Sequence, residues 1–521
     1  MNEFRKKDGK SIISGAFSLT VSTLVVKLLG MIYKIPLAQF LGEEGMGYFN
    51  SAYTVYTLFY ILCTAGVPKA VMILISQRKT DEQKIVRVGI KTFLVFGVIV
   101  SAAFMIFAHP LSKAVGNSGA YMTMLAIAPS IVFISLSGVI RGYLSANLSF
   151  AHIATSQVIE GAAKLVLGLI FAIVSTRLSH PLIVVSALTI LGVTLGAFFG
   201  LLYLVIVSKI NVFSDKSGQR INCSECSDIC KSIFHVSVPI TISAAVMSIT
   251  SIIDLGLIMR RLISIGYSES TAVSLYGNFT TLAMPMFNLA VSIITPISVT
   301  FLPVYARANA ASDKDGLYKA IKMSLELTGL VSAPITIGMF VYSREILSML
   351  FGDVGVSLGA SLLRLTVPGV FFMSLLLIVN SALEACGNVR VPMISMAIGS
   401  IFKLVISYLL IGNEEYGIAG APIGTVISYA VALILSLVIA TKKLGYAPPI
   451  LRTNIPSYLC ALTAVSLSTL VFAAVKTHTN QSIALILAII VSALLYAFIC
   501  FVLGIFSKKK LIEMSKYTKL T

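Results

Sequence analysis

Apolar runs of about twenty residues, parted by short polar or basic turns, recur from one end of the 521-residue chain to the other. At a rise of about 1.5 Å per residue, each run is long enough to cross the hydrocarbon core of a bilayer as a helix. The pattern predicts an all-α polytopic membrane protein with about fourteen spans, at 12–35, 47–76, 90–108, 121–143, 152–175, 183–207, 233–259, 272–305, 321–342, 358–384, 392–411, 416–440, 457–475 and 483–506. Composition agrees: 57% of residues are hydrophobic, 12% are charged and the mean hydropathy is +0.95, far from the soluble range. The basic start MNEFRKKDGK has the look of a signal peptide. No small-residue cleavage site follows, and the apolar run continues past Gly30, so a retained first helix is expected.

Basic residues set the expected orientation. They gather before the first span, in alternate loops (Arg78 to Lys91, Lys209 to Lys231, Arg307 to Lys319, Lys442 to Arg452) and in the tail from Lys508 to Lys519. The opposite loops carry only Lys113, Arg177, Arg260, Arg261, Arg344 and Lys476. The positive-inside rule then puts both termini in the cytoplasm. The same rule, with anionic lipid head groups, accounts for the net charge of +18 without any nucleic acid.

An internal repeat organises the spans. At an offset of 239 residues Pro129 falls on Pro368, Ala146 on Ala385 and Lys164 on Lys403; at 228, Tyr48 and Asn50 meet Tyr276 and Asn278, and Pro68 meets Pro296. Spans one to six and seven to twelve thus read as two pseudo-symmetric six-helix bundles of like orientation, as in secondary transporters. The expected division is an N-terminal lobe at 1–210, a cytoplasmic linker at 211–232, a C-terminal lobe at 233–445, and two extra spans with a basic tail at 446–521. The longest loop, at 208–232, has no phosphate-binding glycine motif. Any driving force must come from an ion gradient, the membrane potential or the substrate's own gradient.

Charges inside spans are costly, by at least about 2.5 kcal/mol for a lysine, and usually face a bundle interior or a wet cavity. The stretch from Val26 to Ala70 carries Lys27 and Lys34, two helical turns apart on one face. They form a cationic strip for an anion, or they snorkel to the interfaces. Arg141, Asn50 and Lys403 are further lining candidates, and Glu160 and Lys164, four apart, are placed to pair with each other. Asp254 in span seven, with Asn380 and Glu384 four apart in span ten and Ser400 nearby, offers oxygen ligands for a hard cation or a proton. The structural alternative pairs Asp254 with Lys403 or Arg260 and makes Glu384 a helix-end residue. Pro68, Pro285 and Pro296 break or bend spans and are hinge candidates; Arg260 and Arg261 close span seven as a gate or a head-group contact. Cys223, Cys226 and Cys230, with His235 beyond, have a spacing that suits zinc and equally suits free thiols. No cofactor is expected.

The run KLLGMIYKIPLAQFLGEEGMGYFNSAYTVYTLFYILCTAGVPKAVMILISQ, with the repeat and the spans, resembles the stage V sporulation protein B-like branch of the oligosaccharide flippase superfamily. That branch is akin to bacterial lipid II flippases and, more remotely, to multidrug and toxin extrusion transporters. The resemblance covers nearly the whole chain. It implies a monomeric, multi-pass protein of the bacterial cytoplasmic membrane, active in peptidoglycan or polysaccharide synthesis or in sporulation. Two lobes would hold the diphosphate–sugar head of an undecaprenyl-linked lipid by alternating access. Lys27 matches a basic residue before Leu-Gly in the first span of those flippases, and Lys34 matches within one residue. Their arginines in spans two and eight have no counterpart here. Some relatives hold Na+ with an acid in span seven and an Asn/acid pair in span ten, which Asp254, Asn380 and Glu384 resemble, with Ser400 at a hydroxyl position. A cation-coupled drug exporter of the same fold and a membrane glycan polymerase or ligase are the rival expectations.

Overall fold

The structure, a computed structural model, describes residues 2–77, 82–208 and 223–505, excepting the side chains at 2–24, 27, 28, 31, 77, 223, 224, 243, 246 and 247. Every regular element among the described residues is helical. Eleven helices are long and apolar enough to cross a membrane, or twelve if the pair Ser118–Ile127 and Ser130–Ala146, bent by 43°, is one span. These match twelve of the expected spans. The other two, one and seven, run through long helices whose side chains are only partly described.

Contacts divide the chain into two compact units, Met1–Gly277 and Asn278–Thr521. The first holds α1 (Asn2–Thr64), α2 (Val67–Gln77), α3 (Glu82–Ala114), α4 (Tyr121–Ile127), α5 (Ser130–Ala146), α6 (Phe150–Arg177), α7 (Leu182–Ser208), α8 (Cys223–Ser264) and nearly all of α9 (Glu269–Asn278). The loop expected between spans one and two is no loop. Helix α1 turns at the single residue Gly42 (φ 62°, ψ −170°) and resumes at once. That backbone region is open to glycine and to almost nothing else. Expected span two is itself broken at Ala65–Gly66, and Pro68 sits at the start of α2, where a missing N–H costs little.

The most extensive pairing in this unit is α6 on α7, and glycine makes it. Gly192, Gly196 and Gly200 lie one turn apart on α7; a Cβ at Gly192 would stand 2.5 Å from the Gly168 backbone, and one at Gly196 would stand 2.7 Å from the Glu160 carbonyl. Backbones come this close where apolar association lacks a hydrophobic drive, as between helices in lipid. Helix α8, which the repeat assigns to the second bundle, lies along α1, α2 and α3. Its Ile229 and Ile233 join a core with Phe93, Val139 and Leu144. Grouping by contact and grouping by repeat are thus separate properties of the chain.

The second unit holds α10 (Met284–Ala310), α11 (Lys314–Val341), α12 (Ser343–Phe351), α13 (Val356–Thr366), α14 (Pro368–Ala385), α15 (Arg390–Ile411), α16 (Gly420–Leu444), α17 (Ile450–Lys476) and α18 (Gln481–Val502). A π-helical turn at Phe279–Ala283 leads into α10; Pro285 is at the start of that helix and Pro296 within it. Helices α15 and α16 repeat the α6/α7 arrangement: Gly424 stands against the carbonyl of Lys403 as Gly192 stands against that of Lys164. The pair α17 and α18 packs on α11.

In both units large apolar side chains face outward as well as inward, and small hydroxyl residues are buried among the apolar core. Ile106 is 73% exposed and Leu470 68%, while Ser175, Ser186, Ser436 and Ser468 are buried. Buried hydroxyls such as Ser175 and Ser468 donate to carbonyls of their own helices. An exterior this apolar would be unfavourable in water and suits a bilayer.

Candidate functional site

The site is built in the first unit on the second half of α1. Lys34 Nζ donates to Asn50 Oδ1 at 3.2 Å. On a straight helix these residues would be about 24 Å apart. The turn at Gly42 folds one half of α1 back so that they meet. Beyond Asn50, Phe49, Tyr53, Tyr56 and Tyr60 recur at helical spacing, with successive ring centroids 6.2, 5.8 and 6.1 Å apart, and Tyr33 meets Phe49 edge-on at 6.1 Å. Thr54, Thr57 and Thr64 lie along the same stretch and donate to the carbonyls four residues earlier.

Lys164 of α6 reaches this stripe. Its Nζ lies 4.7 Å from the centre of the Tyr53 ring and 5.6 Å from that of Tyr33. The ring faces stabilise the ammonium by about 0.5–2 kcal/mol, more as water is excluded. Tyr33 fits because Gly168 has no side chain: a Cβ there would collide with the tyrosine hydroxyl.

The expected pairing of Glu160 with Lys164 does not form. Glu160 Oε2 instead accepts from Arg141 Nη2 of α5 at 2.9 Å. Arg141 is 8% exposed, and a guanidinium offers a directional fork where an ammonium offers a point charge. Two cation candidates therefore part company: Arg141 is neutralised within the protein, whereas Lys164 meets aromatic rings and no carboxylate among the described residues. Breaking the buried pair from one side should be costly. Arg141→Ala or Glu160→Ala should each destabilise the protein by about 3 kcal/mol, somewhat less for the partial exposure of Glu160. Arg141→Met with Glu160→Leu should recover most of it. Melting temperatures of the three variants in one detergent test this; a double variant as unstable as the sum of the singles would refute the pair.

The other candidates are placed as follows. The side chains of Lys27 and Cys223 lie outside the described residues. Asp254 is buried in α8 within electrostatic reach of Tyr276, whose hydroxyl is 3.3 Å from Thr54 Oγ1. In the second unit Asn380 Oδ1 accepts from Ser436 at 2.9 Å, Ser400 donates to the Met396 carbonyl, and Glu384 is exposed at the end of α14. Lys403 is partly buried on α15. Arg260 donates to the Ala114 carbonyl at 2.7 Å rather than pairing with Asp254, and Arg261 follows it in the last turn of α8. Nearby, Glu269 accepts from the backbone and hydroxyl of Ser118. Cys226 and Cys230 line a surface pocket with Phe234 and His235, and Cys230 Sγ is 3.4 Å from Thr92 Oγ1. Among the described residues no three His, Cys, Asp or Glu side chains gather as a metal site.

The profile of the family described as "Lipid II flippase MurJ" matches residues 117–492. The chain belongs to the MurJ family. As a MurJ-family member it is a multi-pass membrane transporter of the flippase type and not an enzyme. Two similar proteins are both from Bacillus subtilis (strain 168). Its lipid II flippase MurJ is 22% identical over 87% of each chain, and its stage V sporulation protein B is 22% identical over 96% of this chain and 97% of the other. Among solved structures, that of a lipid II flippase MurJ in an inward closed conformation matches with a TM-score of 0.73 at 16% identity, over 93% of this chain and 98% of the other. An inward-facing multidrug resistance MATE family transporter of the MOP superfamily matches at 0.64 and 14%, over 81% and 94%. These likenesses establish a shared fold.

Two features of this candidate site escape the sequence reading although their signals are in the chain. The aromatic spacing from Phe49 to Tyr60 is helical, and Gly192, Gly196 and Gly200 form a small-residue stripe of the kind that brings membrane helices together. Arg141 and Glu160 leave no comparable signal, being nineteen residues apart on separate helices.

Proposed function

We propose that this protein carries an undecaprenyl-diphosphate-linked saccharide across the bacterial cytoplasmic membrane by alternating access, with lipid II, the peptidoglycan precursor, as the leading cargo. One observation carries the reading: Lys34 meets Asn50 and Lys164 meets Tyr53 on the same half of α1, while the neighbouring acid, Glu160, is taken by Arg141. Two lysines placed side by side in a span suit an anionic guest, whose charge would offset theirs. A diphosphate accepts strongly from ammonium groups, which bind it as point charges. Family membership and the Bacillus lipid II flippase support the same cargo. Lys27, two turns before Lys34, is assigned to the same strip. Both termini lie in the cytoplasm on this reading, and two like-oriented bundles rock about the cavity. Asp254 in the first unit is a proposed ligand of a coupling Na+ or proton, and Asn380, Glu384 and Ser400 in the second are proposed separately for the same role. A cation-exporting role, which the MATE fold would equally house, would put an excess of acids where this strip has an excess of bases.

The test is rescue. Cells depleted of their own lipid II flippase and supplied with this chain should again expose lipid II on the outer face, and Lys27→Ala should lower that exposure at equal membrane abundance. Good membrane expression without rescue would move the cargo to another undecaprenyl-linked glycan. Full rescue by Lys27→Ala would remove that residue from the strip.

A further inference from the structure

The residues that hold the cations also present something a diphosphate does not need. From Phe49 to Tyr60 the rings follow one another at about 6 Å, and Tyr53 and Tyr60 are each partly exposed while Phe49 and Tyr56 are buried behind them. Thr54, Thr57 and Thr64 border the exposed rings, and Tyr60 lies beside the Arg141–Glu160 pair. Two partly exposed tyrosines thus share one stretch of the helix with three threonines. Flat rings edged with hydroxyls, a guanidinium and a carboxylate suit one class of guest: a pyranose ring. Its axial C–H bonds form an apolar face for an aromatic ring, and its rim is a circle of hydroxyls that need partners.

We infer that the Tyr53–Tyr60 stripe of α1 is a saccharide subsite, on which the first sugars of the lipid-linked head group stack while Lys34 and Lys164 hold the diphosphate beside Tyr53. This rests on the proposed cargo class and adds which part of the protein reads the sugar. The spacing fits: Tyr53 and Tyr60 are seven residues apart, about 10 Å along the helix, which is the length of a disaccharide rather than of one ring. Lys164 over Tyr53 marks where the anion ends and the sugar begins. An aromatic stripe can also cage an organic cation. Here Lys164 already stands over Tyr53, so a second cation would meet a like charge there and a sugar would not.

The chain has no tryptophan, so Tyr53→Trp makes a single indole fluorophore in the stripe. The full-length protein in nanodiscs is titrated with three probes: undecaprenyl diphosphate carrying a disaccharide, undecaprenyl diphosphate without sugar, and tetraphenylphosphonium. The disaccharide lipid should change the indole emission of the Tyr53→Trp protein, and the sugar-free lipid should change it far less. Tyr60→Leu and Tyr53→Leu should each lower the affinity ratio of sugar-bearing to sugar-free lipid by about fivefold, and Tyr60→Phe should keep it. The ratio cancels any shift in how Lys164 meets the diphosphate. Equal losses for both lipids would reduce the tyrosines to structural parts and overturn the subsite, leaving the cargo reading intact. Binding of neither lipid by wild type would overturn both. An emission response to tetraphenylphosphonium alone would make the stripe a cation cage and overturn the inference.

Discussion

Replacing Lys34 and Lys164 together with methionine should abolish outward delivery of the lipid-linked saccharide and leave the protein in the membrane at normal abundance. Each ammonium bonded to a phosphate oxygen contributes about 1.5–3 kcal/mol. Losing both removes about 3–6 kcal/mol, a fall in affinity of between about 10² and 10⁴. Folding should not suffer in proportion. Methionine keeps the apolar stem of each lysine and removes a cation from a span, a change that on its own stabilises. Either single substitution should leave partial transport, because the other lysine still stands on the same half of α1, Lys34 at Asn50 or Lys164 at Tyr53. Exposure of lipid II in flippase-depleted cells, read beside a melting curve of the purified variant, makes the comparison. A double variant with normal transport would end the anion-strip account. One that fails to fold would show that the lysines act through structure.

The second large effect is expected far from any charge. Leucine at Gly192 should unfold or displace the α6/α7 pair. A Cβ alone at this position would stand 2.5 Å from the Gly168 backbone and 3.0 Å from the Lys164 carbonyl. No rotamer relieves a contact made with main chain. Overpacking a tight core by a few methylenes costs about 1–3 kcal/mol when side chains can move; here two helices must separate, so the upper end or more is expected. Since α6 carries Lys164, transport should fall along with the melting temperature. Gly338→Ala in α11 is the matched control. Nothing lies within 4 Å of its would-be Cβ, and alanine in a helix interior should leave stability equal or better by about 0.5–1 kcal/mol. An unchanged melting temperature for Gly192→Leu would show that the helix pair yields more readily than its packing suggests.

These two cases also show what an unfolded chain discloses. The spans are legible because a bilayer imposes a crude, long-wavelength requirement: twenty apolar residues read as a span whatever surrounds them. Lys34 stands out because a cation in such a run conflicts with its surroundings. Its partner is harder to see. Asn50 lies past a Gly/Glu segment that reads as a loop, and only the torsion at Gly42 shows the helix doubling back at one residue. A sound local rule, that residues four apart on a helix face each other, gives Glu160 to Lys164. The rule supplies proximity along one helix and is silent about a guanidinium arriving from α5. Local periodicity carries local pairs; the choice among competing pairs is made by tertiary packing. The expected cation ligands illustrate the same limit, since Asn380 is engaged by Ser436, a residue from a different helix that no spacing pattern indicates.

The turn at Gly42 has one further consequence, and it concerns stiffness. A would-be Cβ there meets nothing within 4 Å, so the residue is glycine for its torsion angles alone and not for want of room. Elsewhere in the first unit helices are fastened to one another by interdigitated surfaces, and altering their angle means prising those surfaces apart. At Gly42 the two arms of α1 are joined through a bond rotation with open space around it. The pivot itself offers no resistance beyond its torsion; what fixes the aim of the Lys34 arm toward Asn50 is the packing of Tyr33, Leu37 and Leu41 along that arm, so the stiffness of the joint is set by its neighbours.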